Sequence, residues 1–444
     1  MNTIHKIGFA VFGLLIGITQ LNGQKLLTKE DAIIMTLENN YDIKLTDNSL
    51  ETAKNNTSLY NSGYLPTLFT RAVGTYDKKD TETKFANGNQ ISVVDAKTKS
   101  YNVSIGVNYI LFNGLGRYYT YNKLKETYNL TELQARSVLE NTLITLFSAY
   151  YEVARLCENV KSQKQTLEIS KERLKRATYA SDYGQSTKLD VLNADVDLNN
   201  DSITYLALQR ELANSKRDLN IVLGADVNNE VLIDTTVVYL ENISLNSIQE
   251  KTLTDNITYL QLNKSLELRG YDVKTNRSGW MPIVSLTGSY AWNNRNNDAT
   301  NPFGPVGLTQ TGLNAGVSLS WNIFDGGNTT TRVRNAKIAM ARLETQKEQQ
   351  IEFLKRDVNN AWEFYQNALF TLKVQRVSVE TNKLNFERST EYYKLGQVSS
   401  INFRLAQVNL INAEQILSLA KYTAKNAELR LLQLSGELIA NKHF

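Results

Sequence analysis

The stretch GVSLSWNIFDGG, residues 316–327, decides the fold. On an extended chain Leu313, Ala315, Val317, Leu319, Trp321 and Ile323 point one way, and Asn314, Gly316, Ser318, Ser320 and Asn322 point the other. The pattern then stops at Phe324, Asp325, Gly326 and Gly327. Residues 102–116, NVSIGVNYILFNGLG, repeat it: Tyr101, Val103, Ile105, Val107, Tyr109 and Leu111 oppose Asn102, Ser104, Gly106 and Asn108, and the stop is Phe112, Asn113, Gly114. After Pro282 it recurs with Val284, Leu286, Tyr290 and Trp292 against Ser285, Thr287 and Ser289. The segment after Pro66 is less regular, because Arg71 falls on the side of Phe69 and Val73.

A soluble sheet also alternates. Three details favour a membrane barrel instead. The strands, expected at about 67–76, 101–112, 283–292 and 313–324, have the length of roughly ten residues that a tilted strand needs to cross a bilayer. Aromatics stand near their ends, at Tyr76, Tyr101, Tyr109, Trp292 and Trp321, as an interfacial girdle requires. The second face is small and polar, which suits a water-filled lumen. The lipid face is then Val107, Tyr109, Trp292, Leu319 and Trp321. Four strands cannot close a barrel, and an open edge in lipid leaves backbone groups unpaired, so the chain must assemble with copies of itself. The glycine stops mark strand-to-helix junctions. Glycine supplies the tight turn, and Asn113 or Asp325 can accept the free N–H groups of the helix that follows.

The chain is written twice. Phe112 and Phe324, Gly114 and Gly326, Gly184 and Gly396, and Gly224 and Gly436 all stand 212 residues apart. Upstream, GYLPTL at Gly63 matches GWMPIV at Gly279 with an offset of 216. Each unit is expected to run helix, strand, loop, strand, long helix, turn, helix. The units are residues 24–235 and 236–444. Their first helices are expected at about 28–62 and 245–278, the long helices at about 117–183 and 328–394, and the return helices at about 187–222 and 399–434. No glycine interrupts residues 118–182 or 329–394. Leu139, Leu143, Leu146, Tyr150, Val153, Cys157, Val160, Leu167 and Leu174 form a heptad seam on the first long helix, and Ile351, Val358, Trp362, Tyr365, Leu369, Leu372, Val379 and Phe386 repeat it on the second. Such a helix reaches roughly 100 Å at 1.5 Å per residue, more than a globular core uses.

Composition excludes other classes. Residues 1–23 have a basic start at Lys6 and a short apolar run, the pattern of a secretory signal with a cut before Gln24. No later stretch approaches the roughly 20 apolar residues of a spanning helix. The only cysteine is Cys157, a packed seam residue, so no intrachain disulfide forms. The histidines are His5 and His443 alone, too few for a His/Cys metal cluster. The formal charge of +4 is too balanced for a nucleic-acid reader. No paired-carboxylate, nucleophile or phosphate-loop motif is present, and neither an enzymatic activity nor a cofactor is expected.

The duplicated halves, the LFNG and IFDGG junctions and the YGQSTKLDVLNA turn together resemble the TolC-type outer-membrane efflux proteins, across nearly the whole mature chain. The resemblance implies a mostly α protein with a membrane β part: a homotrimer whose 12-stranded barrel sits in outer-membrane lipid and continues as an α-helical barrel across the periplasm. It implies a conduit from periplasm to exterior that docks a periplasmic adaptor (membrane fusion) protein and an inner-membrane pump. The turns at Gly184 and Gly396 become the periplasmic tip where the pore closes. By analogy Asp190 and Tyr393 tie neighbouring helices there, although Asp190 also suits a first-turn acid and Tyr393 plain packing. Asn402 and Leu405 stand where some members carry aspartates, Val398 replaces an arginine that links protomers, and Arg404 adds positive charge near the aperture. Two other readings compete. A structural coiled-coil protein of the envelope accounts for the heptads but not for the amphipathic strands. A periplasmic adaptor has one helical hairpin, not two in tandem.

Overall fold

The computed structural model describes residues 26–240, 243–298 and 305–440. The expected signal at 1–23 and His443 lie outside these. The first unit comprises β1 (Leu26–Leu27), α1 (Lys29–Asn39), α2 (Tyr41–Asn56), β2 (Thr67–Lys84), β3 (Gln90–Asn113), α3 (Gly116–Asp182) and α4 (Lys188–Leu223). β4 (Leu232–Ile233) lies just before the expected boundary at 235/236, and the second unit comprises α5 (Leu245–Asp255), α6 (Ile257–Arg277), β5 (Ile283–Asn297), β6 (Gly307–Ser320), α7 (Asn328–Lys394) and α8 (Ser400–Leu434). β1 pairs in parallel with β4, which ties the start of the first unit to the segment leading into the second.

The first helix of each unit, expected to be continuous, is two helices. Asn40 leaves helical geometry at φ −60° and ψ 135°, and its side-chain oxygen accepts the N–H groups of Asp42 and Ile43. Its Nδ2 donates to the Val222 carbonyl at 2.8 Å, tying the break to the end of α4. Asn256 repeats this with Thr258 and Tyr259 and donates to the Leu434 carbonyl of α8 at 3.0 Å. Helical periodicity runs through both breaks because only one residue is extended. Gly436 closes the same corner at φ +75°, where a Cβ would lie 2.4 Å from the Asp255 carbonyl oxygen.

The four long strands form one antiparallel sheet in the order β2-β3-β5-β6, so the repeats meet at β3–β5 and β2 and β6 are free edges. The strands are longer than expected. β2 and β3 stay paired to Lys84–Gln90, past the point where charged residues replace apolar ones. A backbone ladder needs no apolar side chains once it leaves a bilayer, so the alternation ends before the strand does. β6 is displaced the other way: it begins at Gly307 and ends at Ser320, opposite Ile283. Beyond Ser320 the partner would be Pro282, which has no N–H to give.

The long helices have 67 residues each. α3 packs against α2 and α6 along one part and against α4 and α8 along the other, and α7 packs against α6 and then α8. The core lies where these meet. Leu143, Leu146, Phe147, Tyr150 and Val153 of α3 are buried with Leu219 and Leu223 of α4 and with Tyr422, Leu429 and Leu432 of α8. Val358 and Tyr365 of α7 pack with Leu431 and Leu434. The seam is therefore buried in its middle. Cys157 packs against this core, and burial pushes its thiol pKa up, which leaves it unreactive. Lys425 and Glu428 are fully buried as a pair at 2.6 Å. Lys425 also donates to the Val238 carbonyl and Glu428 accepts from the Leu240 N–H, so the pair pins the inter-unit segment to α8. Buried charge is tolerated where it is paired and hydrogen-bonded in this way.

Candidate functional site: the sheet faces and the helix tips

No described helix is long and apolar enough to cross a membrane; the element with membrane dimensions is the sheet. Directly opposed residues in an antiparallel pair share a face. Val107 stands opposite Leu68 and Gly288, Tyr109 opposite Leu286, Trp292 opposite Val103 and Thr311, and Leu319 opposite Val284. One face is therefore apolar across all four strands. The other carries Asn102, Ser104, Gly106, Ser285, Ser289, Asn314 and Ser318.

The register also resolves the irregular first strand. Leu68, Thr70 and Ala72 oppose Val107, Ile105 and Val103, whereas Phe69, Arg71 and Val73 oppose Gly106, Ser104 and Asn102. Arg71 thus lies on the polar face. Phe69 fits there because a Cβ on Gly106 would come within 2.6 Å of its ring. Two other side chains depart from expectation. The register shifts between Ile110 and Phe112, so Leu111 is bulged and Phe112 takes the apolar place opposite Val284. Trp321 lies outside the sheet, and its indole N–H donates to the Trp280 carbonyl at 3.1 Å.

At the first junction the Asn113 side-chain oxygen accepts the Arg117 N–H at 3.2 Å. Gly114 turns the chain at φ +65°, where a Cβ would lie 2.5 Å from Met281 Cβ. At the second, Asp325 accepts the N–H groups of Gly327 at 3.1 Å and Thr329 at 2.8 Å. Hydrogen bonds from Thr329, and then from Gly327, hold its carboxyl below the usual range. Gly326 and Gly327 follow at φ +69° and +83°, and Phe324 is exposed beside them. Arg117, which the pattern alone does not single out, donates to the carbonyls of Gly63 and Leu111 and stacks over Tyr64 and Tyr109. It fastens the end of the sheet to the start of α3.

Gly184 and Gly396 turn the chain at φ +71° and +73° between α3 and α4 and between α7 and α8. Asp190 closes a capping box with Thr187 at the start of α4, and Ser186 donates to the same carboxylate oxygen at 2.7 Å. These donors, Ser186 first, hold its carboxyl below the usual range. Tyr393 stacks on Phe403 at 4.7 Å and lies under the guanidinium of Arg176. Asp190 and Tyr393 do not hydrogen-bond within the protomer: the Asp190 Oδ2 is held by its own helix start, and the phenol ring is held against α8. Asn402 is exposed in the first turn of α8, where its N–H donates to the Ser399 hydroxyl.

What joins the two hairpins is a basic network. Arg404 of α8 donates both terminal nitrogens to Asp201 of α4, at 2.7 and 2.8 Å. Arg173 of α3 donates to Asp197 of α4 at 2.7 Å and to the Ser400 hydroxyl of α8 at 2.9 Å. Ser170 donates to Asp201 at 2.5 Å, and Gln407 donates to the Thr166 carbonyl at 3.1 Å. Arg176 donates to the Lys394 carbonyl at the end of α7 at 2.8 Å. Arg173, Asp201, Ser170 and Gln407 are all buried. Only Arg404 of this set stands out in the sequence, and its facing follows from the structure.

Among the described residues no group of three or more metal-ligating side chains comes together. The family model described as outer membrane efflux protein matches residues 32–225 and 251–437. The outer membrane efflux protein BepC of Brucella suis is 21% identical over 435 residues, covering 96% of this chain and 89% of that protein. The outer membrane protein TolC of Vibrio cholerae is 22% identical over 307 residues, 69% of this chain and 70% of that protein. The CmeC outer membrane channel of Campylobacter jejuni superposes with a TM-score of 0.77 at 18% identity, covering 98% of this chain and 94% of that one.

Proposed function

The chain belongs to the outer membrane efflux protein family, and from that premise we propose that three copies form one conduit from the periplasm to the exterior, closed at the helix tips. The observation that carries the proposal is a matched pair of free edges. The sheet ends at β2 on one side and β6 on the other. The helix layer runs α4-α3-α8-α7 over its distal part, so α4 and α7 are its outer members. Both keep apolar stripes exposed: Leu189, Leu192, Val196, Ile203 and Leu206 on α4, and Phe364, Phe370, Val374, Val377 and Leu384 on α7. Two different edges of one protomer make a head-to-tail contact, which closes into a ring when the rotation from copy to copy completes a full turn. A ring of three gives twelve strands, an even number of the kind bacterial barrels use, and the same ring continues the helices as a tube.

The Arg404–Asp201 and Arg173–Ser400 ties support a gate. Arg404 of α8 reaches Asp201 of α4, and Arg173 of α3, oriented by Asp197, reaches Ser400 of α8, so both bonds cross between the hairpins within about five turns of Gly184 and Gly396. Parting the hairpins at the tip would break them, and a buried ion pair broken on one side costs several kcal/mol. An adaptor and an inner-membrane pump would engage this end, with Asp190, Tyr393 and Asn402 at or beside the aperture.

Purified protein in planar bilayers tests the proposal. Discrete single-channel current is expected, small at rest and larger in Arg404→Ala. Protein that inserts but passes no current in either form overturns the conduit, and equal conductance in both overturns the gate alone.

A further inference from the structure

The polar face of the sheet is not neutral. Arg71 of β2 stands opposite Ser104, in line with Ala291 of β5 and Gly312 of β6. Arg295 of β5 stands between Ser100 and Leu308 on the same face. Asp77 and Lys79 also lie on this face and pair with each other at 3.6 Å. Neither the Arg71 nor the Arg295 side chain has a hydrogen bond or an ion pair among the described residues, and both are exposed.

Among the described residues no strand carboxylate faces either of them without a partner of its own. β5 has no acidic residue, and Arg295 is its only charge. β6 has no charged residue of either sign. In a closed ring the strand beside β2 is the neighbouring copy's β6, so Arg71 meets a neutral wall whatever register that seam adopts. Lys97 and Lys99 of β3 alternate onto the apolar side. Arg71 and Arg295 are four positions apart along β5 by their registers, roughly 13 Å at 3.3 Å per residue. A guanidinium in water acts over about 8 Å at physiological ionic strength, so two levels this far apart overlap along the wall.

We propose that the barrel lumen is an anion-preferring exit whose preference is set by rings of Arg71 and Arg295, and that the solutes it favours carry carboxylate, sulfate or phosphate groups. Rings of arginine select anions as rings of acids select cations, and a guanidinium offers planar paired donors that match such oxyanions. The proposal deepens the conduit reading above and rests on its closed three-copy barrel.

The test is the reversal potential of the channel in a bilayer under a tenfold potassium chloride gradient. The wild type is expected to reverse with the sign of chloride preference. Arg71→Gln and Arg295→Gln should each lower that potential by about half, and the double variant should bring it close to zero. Arg71→Lys should retain it, which separates charge from wall shape. The preference should also fade on raising both baths to molar salt, where the screening length falls to about 3 Å. A cation-preferring wild type, or glutamine variants that conduct with an unchanged reversal potential, overturns the charge assignment while leaving the conduit intact. Absence of any wild-type current overturns both.

Discussion

Asp190 and Arg404 lie near the same tip and differ in what they hold. Asp190 belongs to its own helix start, through Ser186 and Thr187, while Arg404 reaches across to Asp201 on another hairpin. Removing each should therefore show in different measurements. The Asp190 carboxyl is held below its usual range, so its capping contribution is complete above the ordinary aspartate pKa and disappears as pH falls through the lowered value. Protection of the first-turn amides of α4, with exchange referred to the intrinsic rate at each pH, should be flat from neutral pH down to about 5 and fall only at lower pH. Asp190→Asn should already show less protection at neutral pH. Protection in the wild type that falls between about pH 7 and 5 would refute the assignment. Arg404→Ala leaves Asp201 buried with one fewer partner, a loss of about 3 kcal/mol, and should change conductance more than α4 fraying. The turn YGQS and the acid after it are visible in the sequence. The partnership of Arg404 is not, because residues 404 and 201 meet only through tertiary packing of α8 on α3 and α4.

At the scale of elements, alternation identified all four strands and the faces of three. It missed where they stop, because pairing outlasts apolar character in β2 and β3 and ends early in β6 for want of a partner beyond Ile283. The breaks at Asn40 and Asn256 were hidden for the opposite reason: one extended residue barely shifts a helical stripe, although the cap donors two and three residues on are local. The face assignment makes a direct prediction. Leu319 points to the apolar side with Val284, and Ser318 to the polar side with Ser285. Leu319→Arg should lower recovery of assembled protein from outer-membrane fractions, since arginine on a lipid face is costly, about 2–4 kcal/mol at mid-depth and falling towards the interface where Leu319 stands. Ser318→Arg should assemble nearly as well as the wild type, because its guanidinium enters water. Equal recovery of the two variants counts against the faces, and loss of both would show that position near the strand end matters more than side.

For the whole molecule, the duplication explains why one protomer has two strand pairs and two hairpins but no closure. A single copy leaves β2 and β6 unpaired, and in a bilayer those backbone groups have no water to turn to. The free edges belong to different repeats, so the joint between copies imitates the β3–β5 joint already present inside each copy. That makes the assembly testable without knowing its seam register. With Cys157 replaced by serine, one cysteine is placed on β2 at Thr70 and one on β6 at Ala315, both on the apolar face. A short bifunctional thiol reagent should then link copies only when both cysteines are present in one chain, because the contact is head to tail. The ladder on a denaturing gel should show dimers and trimers and stop there, since a closed ring has no free edge left. Ladders that continue past three would change the ring size, and crosslinking by either single-cysteine variant alone would mean that like edges meet. A chain that stays monomeric in mild detergent under the same reagent would remove the shared barrel, and with it the one arrangement in which the polar face of this sheet encloses a pore.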